Sequence, residues 1–321
     1  MLLSWCRGAA VLGCAAWLGC GSAEPPPRSA GAGDRLGELA RAALDAACER
    51  AVADPPVPAL SGPSRPATND VVVYTAHPDD EAMYAGGTMA ALATAGRKVA
   101  IVVMSHGEGG RLLELGPDGK VIERRDVPAA DVARLRDKEI ANAAARIGVS
   151  VTQVYPAEAN VDYGWTTSCG EALAHWDKTL PGGIRGTLEH LVVDLRTRRP
   201  RVVLTLDPRD DPQASHHGHH KAVGMLAELA ARAAADPAVT VGGAPHVVEE
   251  VLSFAPQGTK ADVAMEVGAE ARLAMLAEYP SQFRELDDVA RRSVEHFILR
   301  WRARGVTPGR GGSVVADLAG R

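Results

Sequence analysis

Aromatic residues are scarce in this sequence, since Phe, Trp and Tyr together make up 4% of its 321 residues. The core must therefore be built mainly from Val, Leu, Ile and Ala. A block of charge of one sign is also lacking, because the formal net charge is −5 and both signs are spread along the chain. Without a basic block, the sequence argues against a nucleic-acid partner. No repeat of solenoid period is visible, and the length suits one sizeable α/β domain with extensions.

Long apolar runs are lacking except at the start of the chain. Residues 8–18 form an almost uncharged apolar run that is short for a membrane span but typical of a secretory signal. The Leu-Gly-Cys sequence ending at Cys20 resembles the cleavage end of a bacterial lipoprotein signal, and Cys14 ends a competing site. We therefore predict a signal peptide over residues 1–20 and an exported lipoprotein, anchored in a membrane through Cys20 and facing the periplasm or the cell exterior. A soluble secreted protein and an uncleaved anchor are the alternatives.

Cysteine is rare as well, with five residues in the whole chain. Cleavage at Cys20 would remove Cys6 and Cys14 and leave Cys48 and Cys169 as an even pair in an oxidising compartment. A disulfide between these two residues and two unpaired small residues are equally open interpretations.

Four segments follow from composition. Residues 1–20 are the predicted signal, and residues 21–67 are a Pro-rich tether with one helix predicted over residues 34–53. The compact domain is predicted over residues 68–304. The Gly-rich tail over residues 305–321 is expected to be flexible.

Strand and helix patterns alternate after residue 68, which predicts the α/β class with a mostly parallel sheet and helices on both faces. Strands are predicted over residues 71–73, 99–104, 151–155, 201–206 and 247–254. Helices are predicted over residues 81–95, 131–147, 183–198 and 219–235, with further helical segments within 268–279 and 283–302. Two long loops, 105–129 and 158–181, are expected to lie over the carboxyl edge of the sheet as walls of a substrate pocket.

A first polar cluster follows the apolar strand over residues 71–73. Residues 74–81 read Tyr-Thr-Ala-His-Pro-Asp-Asp-Glu, so His77, Asp79 and Asp80 fall at the carboxyl end of a strand, where open α/β sheets place their ligands. An imidazole and two carboxylates on one tight turn suit a divalent ion such as zinc. Helix capping would explain one acid but not the imidazole on a Pro-stiffened turn.

A second cluster is rich in histidine and follows the predicted strand over residues 201–206. Residues 215–222 read Ser-His-His-Gly-His-His-Lys-Ala. His217 and His220 are three residues apart, so they project to the same side of a starting helix. The alternative is an exposed His-rich loop that binds metal adventitiously, and the cluster around His77 disfavours it.

The sequence Ala-His-Pro-Asp-Asp-Glu over residues 76–81 resembles the opening motif of the LmbE/PIG-L family of zinc-dependent N-deacetylases. In that family a His-x-x-His motif occupies the place of the second cluster, and the register from His217 to His220 matches it best. The register from His216 to His219 is the rival, and the family often has Asp where this chain has His219. The resemblance covers most of residues 68–301.

This resemblance implies a Rossmann-like fold and hydrolysis of an acetamide, commonly on an N-acetylglucosamine-type sugar. The matched positions His77, Asp80 and His220 would hold one Zn²⁺ per chain, with another divalent metal such as Fe²⁺ as the alternative. Asp79 would be the general base, and a protonated His217 would stabilise the oxyanion together with the zinc.

Substrate contacts are assigned from position alone. Glu108 and Arg111 follow the second strand, where the family often carries a Gly-Glu-containing loop, and they could hold sugar hydroxyls or an anionic group. A solvated loop explains them equally well. Arg136 and Glu139, in the helix over residues 131–147, are weaker matches to the family without an assigned role. Asp162 is a pocket candidate by its place in the second long loop.

The favoured function is therefore a zinc-dependent hydrolase that removes an acetyl group from an N-acetylated amino sugar, with a glycan or small molecule as partner. A zinc amidase acting on a non-sugar amide is one alternative. A non-catalytic carbohydrate-binding lipoprotein on the same scaffold is another, but Asp79 favours an enzyme, because a binding module needs no base beside the metal.

Overall fold

The structure is a computed structural model that describes residues 34–46, 48, 67–209, 217–255, 259–284, 293–309 and 311–320. The predicted signal peptide and most of the Pro-rich tether lie outside these residues. Among the described residues, no helix has both the length and the apolar character needed to cross a bilayer.

Short β-branched segments form the strands. They are β1 (Val71–Thr75), β2 (Val99–Val103), β3 (Leu112–Leu115), β4 (Val121–Arg124), β5 (Ser150–Gln153), β6 (Val202–Thr205), β7 (Glu250–Phe254), β8 (Val263–Glu266) and β9 (Val294–Arg302). Within the described ranges, seven strands form one sheet in the order β5-β2-β1-β6-β7-β9-β8, and β3 pairs with β4 separately. The first five strands of this order pair in parallel, whereas β9 runs antiparallel to β7 and β8.

The helices are α1 (Arg35–Ala46), α2 (Asp80–Thr94), α3 (Ala129–Ile147), α4 (Cys169–Thr179), α5 (Gly183–Arg198), α6 (Gly218–Ala235), α7 (Glu270–Leu276) and α8 (Val314–Leu318). They pack in two groups, with α2 against α3 and α7, and α5 against α1, α4 and α6. The predicted α/β class with a mostly parallel sheet is confirmed.

The order of the strands fixes where the two polar clusters meet. From β1 the chain continues to β2 and β5 on one side, while β6 and β7 extend the sheet on the other side. The gap between the carboxyl ends of β1 and β6 is therefore the point where the strand order reverses, which is where open α/β sheets bind ligands. Val73 lies beside Leu204 in the register, so the loops that follow β1 and β6 begin side by side.

Residues 283–302 contain a strand where the sequence suggested helix. The strand β9 lies between β7 and β8, and its Phe297 and Trp301 side chains are buried. Aromatic and β-branched side chains fit the pleated surface of a sheet well. The pairing of β9 with β7 on one side and β8 on the other outweighs the helical spacing of its apolar residues. The two long loops also contain structure, since residues 105–129 include the β3–β4 hairpin and residues 158–181 include α4.

Both ends of the described chain pack onto the sheet domain. The helix α1 packs against α4, α5 and α6, and a disulfide joins Cys48 to Cys169 at the start of α4. The segment expected to be a flexible tail contains α8. Its start is held by the buried carboxylate of Glu250, which accepts hydrogen bonds from the Ser313 hydroxyl at 2.8 Å and the Val314 N–H at 2.9 Å.

Candidate metal centre

The turn between β1 and α2 is held by one of its own carboxylates. Asp80 begins α2, and its Oδ2 accepts hydrogen bonds from the N–H groups of Ala76 at 3.1 Å and His77 at 2.9 Å. Asp79, just before the helix, has a φ of 131°, which a side-chain-bearing residue rarely adopts. The local structure therefore keeps two adjacent carboxylates in fixed and different positions.

Three side chains from the two sequence clusters converge at this turn. His77 Nδ1 lies 3.1 Å from His220 Nε2 and 3.7 Å from Asp80 Oδ2. His220 Nε2 lies 3.1 Å from Asp80 Oδ1. A tetrahedral zinc ion with ligands at about 2.0–2.1 Å separates its ligand atoms by roughly 3.3 Å. These three side chains are buried and spaced so that they could hold a cation.

The other side of the His77 ring faces a different group. His77 Nε2 lies 3.4 Å from His219 Nδ1 and 3.9 Å from Asp162 Oδ2. His219 Nδ1 lies 3.6 Å from Asp162 Oδ1, and His217 belongs to the same cluster of rings. Position in the second long loop was the only sequence signal for Asp162. His216, on which the rival register depends, lies outside the described residues.

Asp79 is paired with a buried arginine. Arg136 Nη2 on α3 lies 2.9 Å from Asp79 Oδ2, and the same guanidinium donates to the Pro78 carbonyl. Burial raises the pKa of Asp79 to about 7, and Arg136 opposes this rise. The sequence offered Arg136 only as a weak family match.

The surroundings of the ring cluster favour an ionised Asp80 and neutral His217 and His219 rings, whereas Asp162 and Asp80 outweigh burial and raise the pKa of His77. Burial alone would raise the pKa of Asp80, but His220 and His77 hold it well below its usual range. Burial and the neighbouring His77 lower the pKa of His219 to about 3, and the same causes lower the pKa of His217 further. Neutral imidazoles and an ionised carboxylate are the forms in which these side chains bind metals.

Behind the turn, Tyr279 donates a hydrogen bond to the buried carboxyl of Glu81. The other oxygen of Glu81 accepts from the Asp79 N–H at 3.1 Å. Burial raises the pKa of Glu81 to about 7. Tyr279 and Glu81 thus support the backbone of Asp79, a role that the sequence did not reveal because the two residues are 198 positions apart.

The two predicted substrate contacts have partners within the protein. Glu108 is buried and accepts hydrogen bonds from the N–H groups of His106 at 2.9 Å and Asp162 at 3.0 Å, so it connects the two long loops. Arg111 forms an ion pair of 2.9 Å with Glu123 at the exposed hairpin. Their roles in substrate binding stay predictions.

Two tryptophans of the second long segment differ in exposure. Trp176 is buried, and its ring centroid lies 5.4 Å from that of His219 in a stacked arrangement. Trp165 is 70% exposed, and its ring centroid lies 4.8 Å from that of His217. Trp165 therefore presents an aromatic face to solvent beside the cluster.

The comparison with known proteins decides the family. A family model described as PIG-L, GlcNAc-PI de-N-acetylase, matches residues 72–231. A 1D-myo-inositol 2-acetamido-2-deoxy-α-D-glucopyranoside deacetylase from Geodermatophilus obscurus is 30% identical over 226 residues, which are 68% of this chain and 70% of that protein. This chain belongs to the PIG-L family.

Other relatives match over a shorter part of their length. A deacetylase of the same description from Streptomyces griseus is 32% identical over 58% of this chain and 55% of its own length. One from Catenulispora acidiphila is 30% identical over 56% of this chain and 54% of its own length. The chain thus spans about half the length of these two curated relatives.

Three solved structures share the fold of this chain at low sequence identity. A conserved protein from Thermus thermophilus superposes with a TM-score of 0.53 at 20% identity, covering 75% of this chain and 99% of that one. The N,N′-diacetylchitobiose deacetylase from Pyrococcus horikoshii gives 0.53 at 19% identity, covering 72% and 84%. A 4-carboxy-2-hydroxymuconate hydratase from Pseudomonas putida gives 0.52 at 18% identity, covering 74% and 98%. Because a hydratase shares the fold, the fold alone does not determine the reaction.

The prediction of an exported, membrane-anchored lipoprotein is wrong. The relatives of this chain are named as deacetylases of an inositol-linked amino sugar, and none of those names describes an exported or lipid-anchored protein. The same relatives overturn the alternative of a soluble secreted protein. Cys20 and the predicted signal over residues 1–20 lie outside the described part of the chain.

Proposed function

We propose that this protein is a zinc-dependent N-deacetylase that removes the acetyl group from an N-acetylated amino sugar. The observation that carries the proposal is the convergence of His77, Asp80 and His220 beside the separate carboxylate of Asp79. Membership in the PIG-L family supports it, as do relatives named as deacetylases of a 2-acetamido-2-deoxy sugar.

His77, Asp80 and His220 would hold the metal ion. Two imidazoles and a carboxylate form a three-ligand set of the kind that leaves positions open for water and substrate in catalytic zinc sites. A zinc ion bound there would supply a Lewis acid and make a water nucleophilic near neutral pH.

Asp79 is the proposed general base. Its carboxylate is next to the ligand set without belonging to it, and Arg136 fixes its orientation at 2.9 Å. With a pKa raised to about 7, the carboxylate can accept the proton of the attacking water and pass it to the departing amine near neutral pH.

His217 is the proposed donor to the oxygen of the scissile carbonyl. The sequence suggested a protonated ring, but burial lowers the pKa of His217 and opposes that form. We therefore propose that a neutral imidazole donates its ring N–H to the developing negative charge, as amide and histidine donors do in oxyanion holes.

An amino sugar is the proposed substrate class because an aromatic face is available at the cluster. Trp165 is 70% exposed beside His217, and an exposed ring face of this kind can stack on the apolar side of a sugar ring.

The test is acetate release by zinc-loaded protein from an N-acetylglucosamine–inositol glycoside, free N-acetylglucosamine and a non-sugar acetamide. Asp79→Asn should lower kcat by roughly 10²–10⁴ while zinc stays bound, because it removes the proton acceptor and no ligand. Asp118→Asn, in the exposed β3–β4 turn, is the matched control and should leave kcat unchanged. Absence of turnover on every acetamide would contradict the proposal, and preference for the non-sugar acetamide would contradict the substrate class.

The ligand set is tested by metal analysis. His220→Ala should reduce the zinc content of purified protein, because it removes one of the three proposed ligands. Zinc content equal to that of the unsubstituted protein would mean that the wrong histidine was chosen.

A further inference from the structure

We propose that the His77 ring binds two divalent cations, one through each nitrogen, and that His219 and Asp162 complete the second site. The inference rests on the proposed function, because its first cation is the metal ion that His77 Nδ1, Asp80 and His220 would bind there. The second cation would be bound by His77 Nε2, His219 Nδ1 and a carboxylate oxygen of Asp162.

The spacing of the second group is that of a ligand set. Its three separations are 3.4 Å between the two imidazole nitrogens, 3.6 Å from His219 Nδ1 to Asp162 Oδ1 and 3.9 Å from His77 Nε2 to Asp162 Oδ2. The corresponding separations in the first group run from 3.1 to 3.7 Å. In each group the carboxylate makes its two contacts through different oxygens, and all separations lie within about 0.6 Å of the roughly 3.3 Å edge of a tetrahedral zinc site. Small side-chain rotations would bring either set onto one ion.

The chemistry of the second group also suits a cation. Its atoms are two imidazole nitrogens and one carboxylate oxygen, which are donors that zinc and similar divalent ions accept. His77, Asp162 and His219 are 6%, 5% and 1% exposed, so the atoms that face each other are removed from bulk water.

A fourth donor is within reach. Nitrogen atoms of His77, His217 and His219 lie within 4.8 Å of one another. Nδ1 of His217 and Nε2 of His219 are buried and have no hydrogen-bond partner in the described part of the chain. Buried polar atoms are rarely left without partners, so a His217 ring with an unpaired buried nitrogen in this group of three rings is consistent with a further metal ligand.

The two sites use opposite nitrogens of one ring, so they do not compete for a donor atom. Holding a cation at each nitrogen would require the His77 ring to release its N–H proton to solvent. Proton release on metal binding is the ordinary consequence of ligands that must be deprotonated. The second site depends on His219, which stands where the family often has Asp.

The competing explanation is a purely organising role. In that case Asp162 and His219 would orient the His77 ring by hydrogen bonding, as carboxylates and carbonyls do behind many metal-binding histidines, and one cation would bind per chain. The two explanations differ in the number of ions bound.

The experiment is a titration of the metal-free full-length protein with Zn²⁺, with the bound metal counted after removal of excess ion. We expect two equivalents in the unsubstituted protein, one in His219→Gln, one in His220→Ala and none in His77→Ala. His296→Gln, on the exposed side of β9, is the matched control and should keep two equivalents. Far-UV circular dichroism checks that each variant is folded, and Asp162→Asn replaces His219→Gln if that variant does not fold.

The outcomes separate this inference from the proposed function. One equivalent in the unsubstituted protein, retained in His219→Gln and accompanied by deacetylation, would overturn the second site and leave the proposed function intact. Two equivalents in both proteins would mean that the second ion binds elsewhere, which also overturns the inference. No bound metal in the unsubstituted protein would contradict the proposed function itself.

Discussion

Replacing Arg136 by Gln removes the cation that faces the Asp79 carboxylate while keeping a side chain of similar length. The two side chains form an ion pair of 2.9 Å and are 4% and 14% exposed, so solvent screens them little. An opposite charge at this distance lowers the pKa of a carboxyl by about 1–3 units. Without Arg136, the pKa of Asp79 should therefore rise by that amount above its present value of about 7.

The sign of the effect on activity follows from the role of the base. Asp79 must be ionised to accept a proton, so activity is lost as the pH falls through its pKa. A rise of about 1–3 units moves the acid side of the pH profile up by the same amount, so kcat/KM falls about 10- to 1000-fold at pH values well below the pKa of Asp79. Activity should return as the pH is raised. A bound cation lowers the pKa of Asp79 in both the variant and the unsubstituted protein, and this pKa stays higher in the variant.

The assay is the pH profile of acetate release for Arg136→Gln beside the unsubstituted protein. Arg134→Gln, which alters an exposed arginine of the same helix, is the control and should leave the profile unchanged. A variant that is slower by the same factor at every pH would refute the reasoning, because it would mean that Arg136 acts on the substrate rather than on Asp79.

Two further substitutions and the reduction of the disulfide test contacts that support the fold around the site. Tyr279→Phe leaves Oε1 of the buried Glu81 carboxyl without its donor and should lower the free energy of unfolding by about 1–3 kcal/mol. Since the pKa of Glu81 is about 7, urea unfolding should show the larger loss at pH 8, where the carboxyl is ionised, than at pH 5. Gly224→Ala should lower the free energy of unfolding by about 1–3 kcal/mol in the same assay, because a Cβ there would meet a backbone carbonyl. Helix propensity alone would predict the opposite sign, since Ala favours a helix more than Gly does. Reducing the Cys48–Cys169 disulfide, which spans 121 residues, should lower the free energy of unfolding by about 4–5 kcal/mol in denaturant titrations with and without thiol.

Much of the candidate site could be predicted because its proposed ligands follow strands. His77 and Asp80 come directly after an apolar run, and His220 opens a helix after another, so the rule for the carboxyl ends of parallel strands was enough to place them together. The helix α5 begins and ends at the predicted residues, because apolar periodicity and flanking Gly and Arg residues mark both ends.

The remainder depends on contacts that no local pattern encodes. Arg136 and Asp162 reach the site from α3 and from a long loop, and only the packed structure shows which acid or ring each one meets. The strand β9 was taken for helix because its apolar residues also fit a helical spacing, and its neighbours β7 and β8 decide otherwise. The β3–β4 hairpin was missed although its Pro-Asp-Gly turn is a recognised signal.

The adjacency of β1 and β6 has a consequence for how the protein is made. His77 and His220 are 143 residues apart, so the first motif leaves the ribosome long before its partner is translated. A metal ion therefore cannot guide the early half of the polypeptide to its shape, since the complete ligand set does not yet exist. The central strands therefore have to pair through hydrophobic burial alone, against the chain entropy that is lost when the long segment between them is closed into a loop. Under the proposed function, metal binding would follow the pairing of the central strands, and a cell starved of the ion would accumulate folded chains without metal.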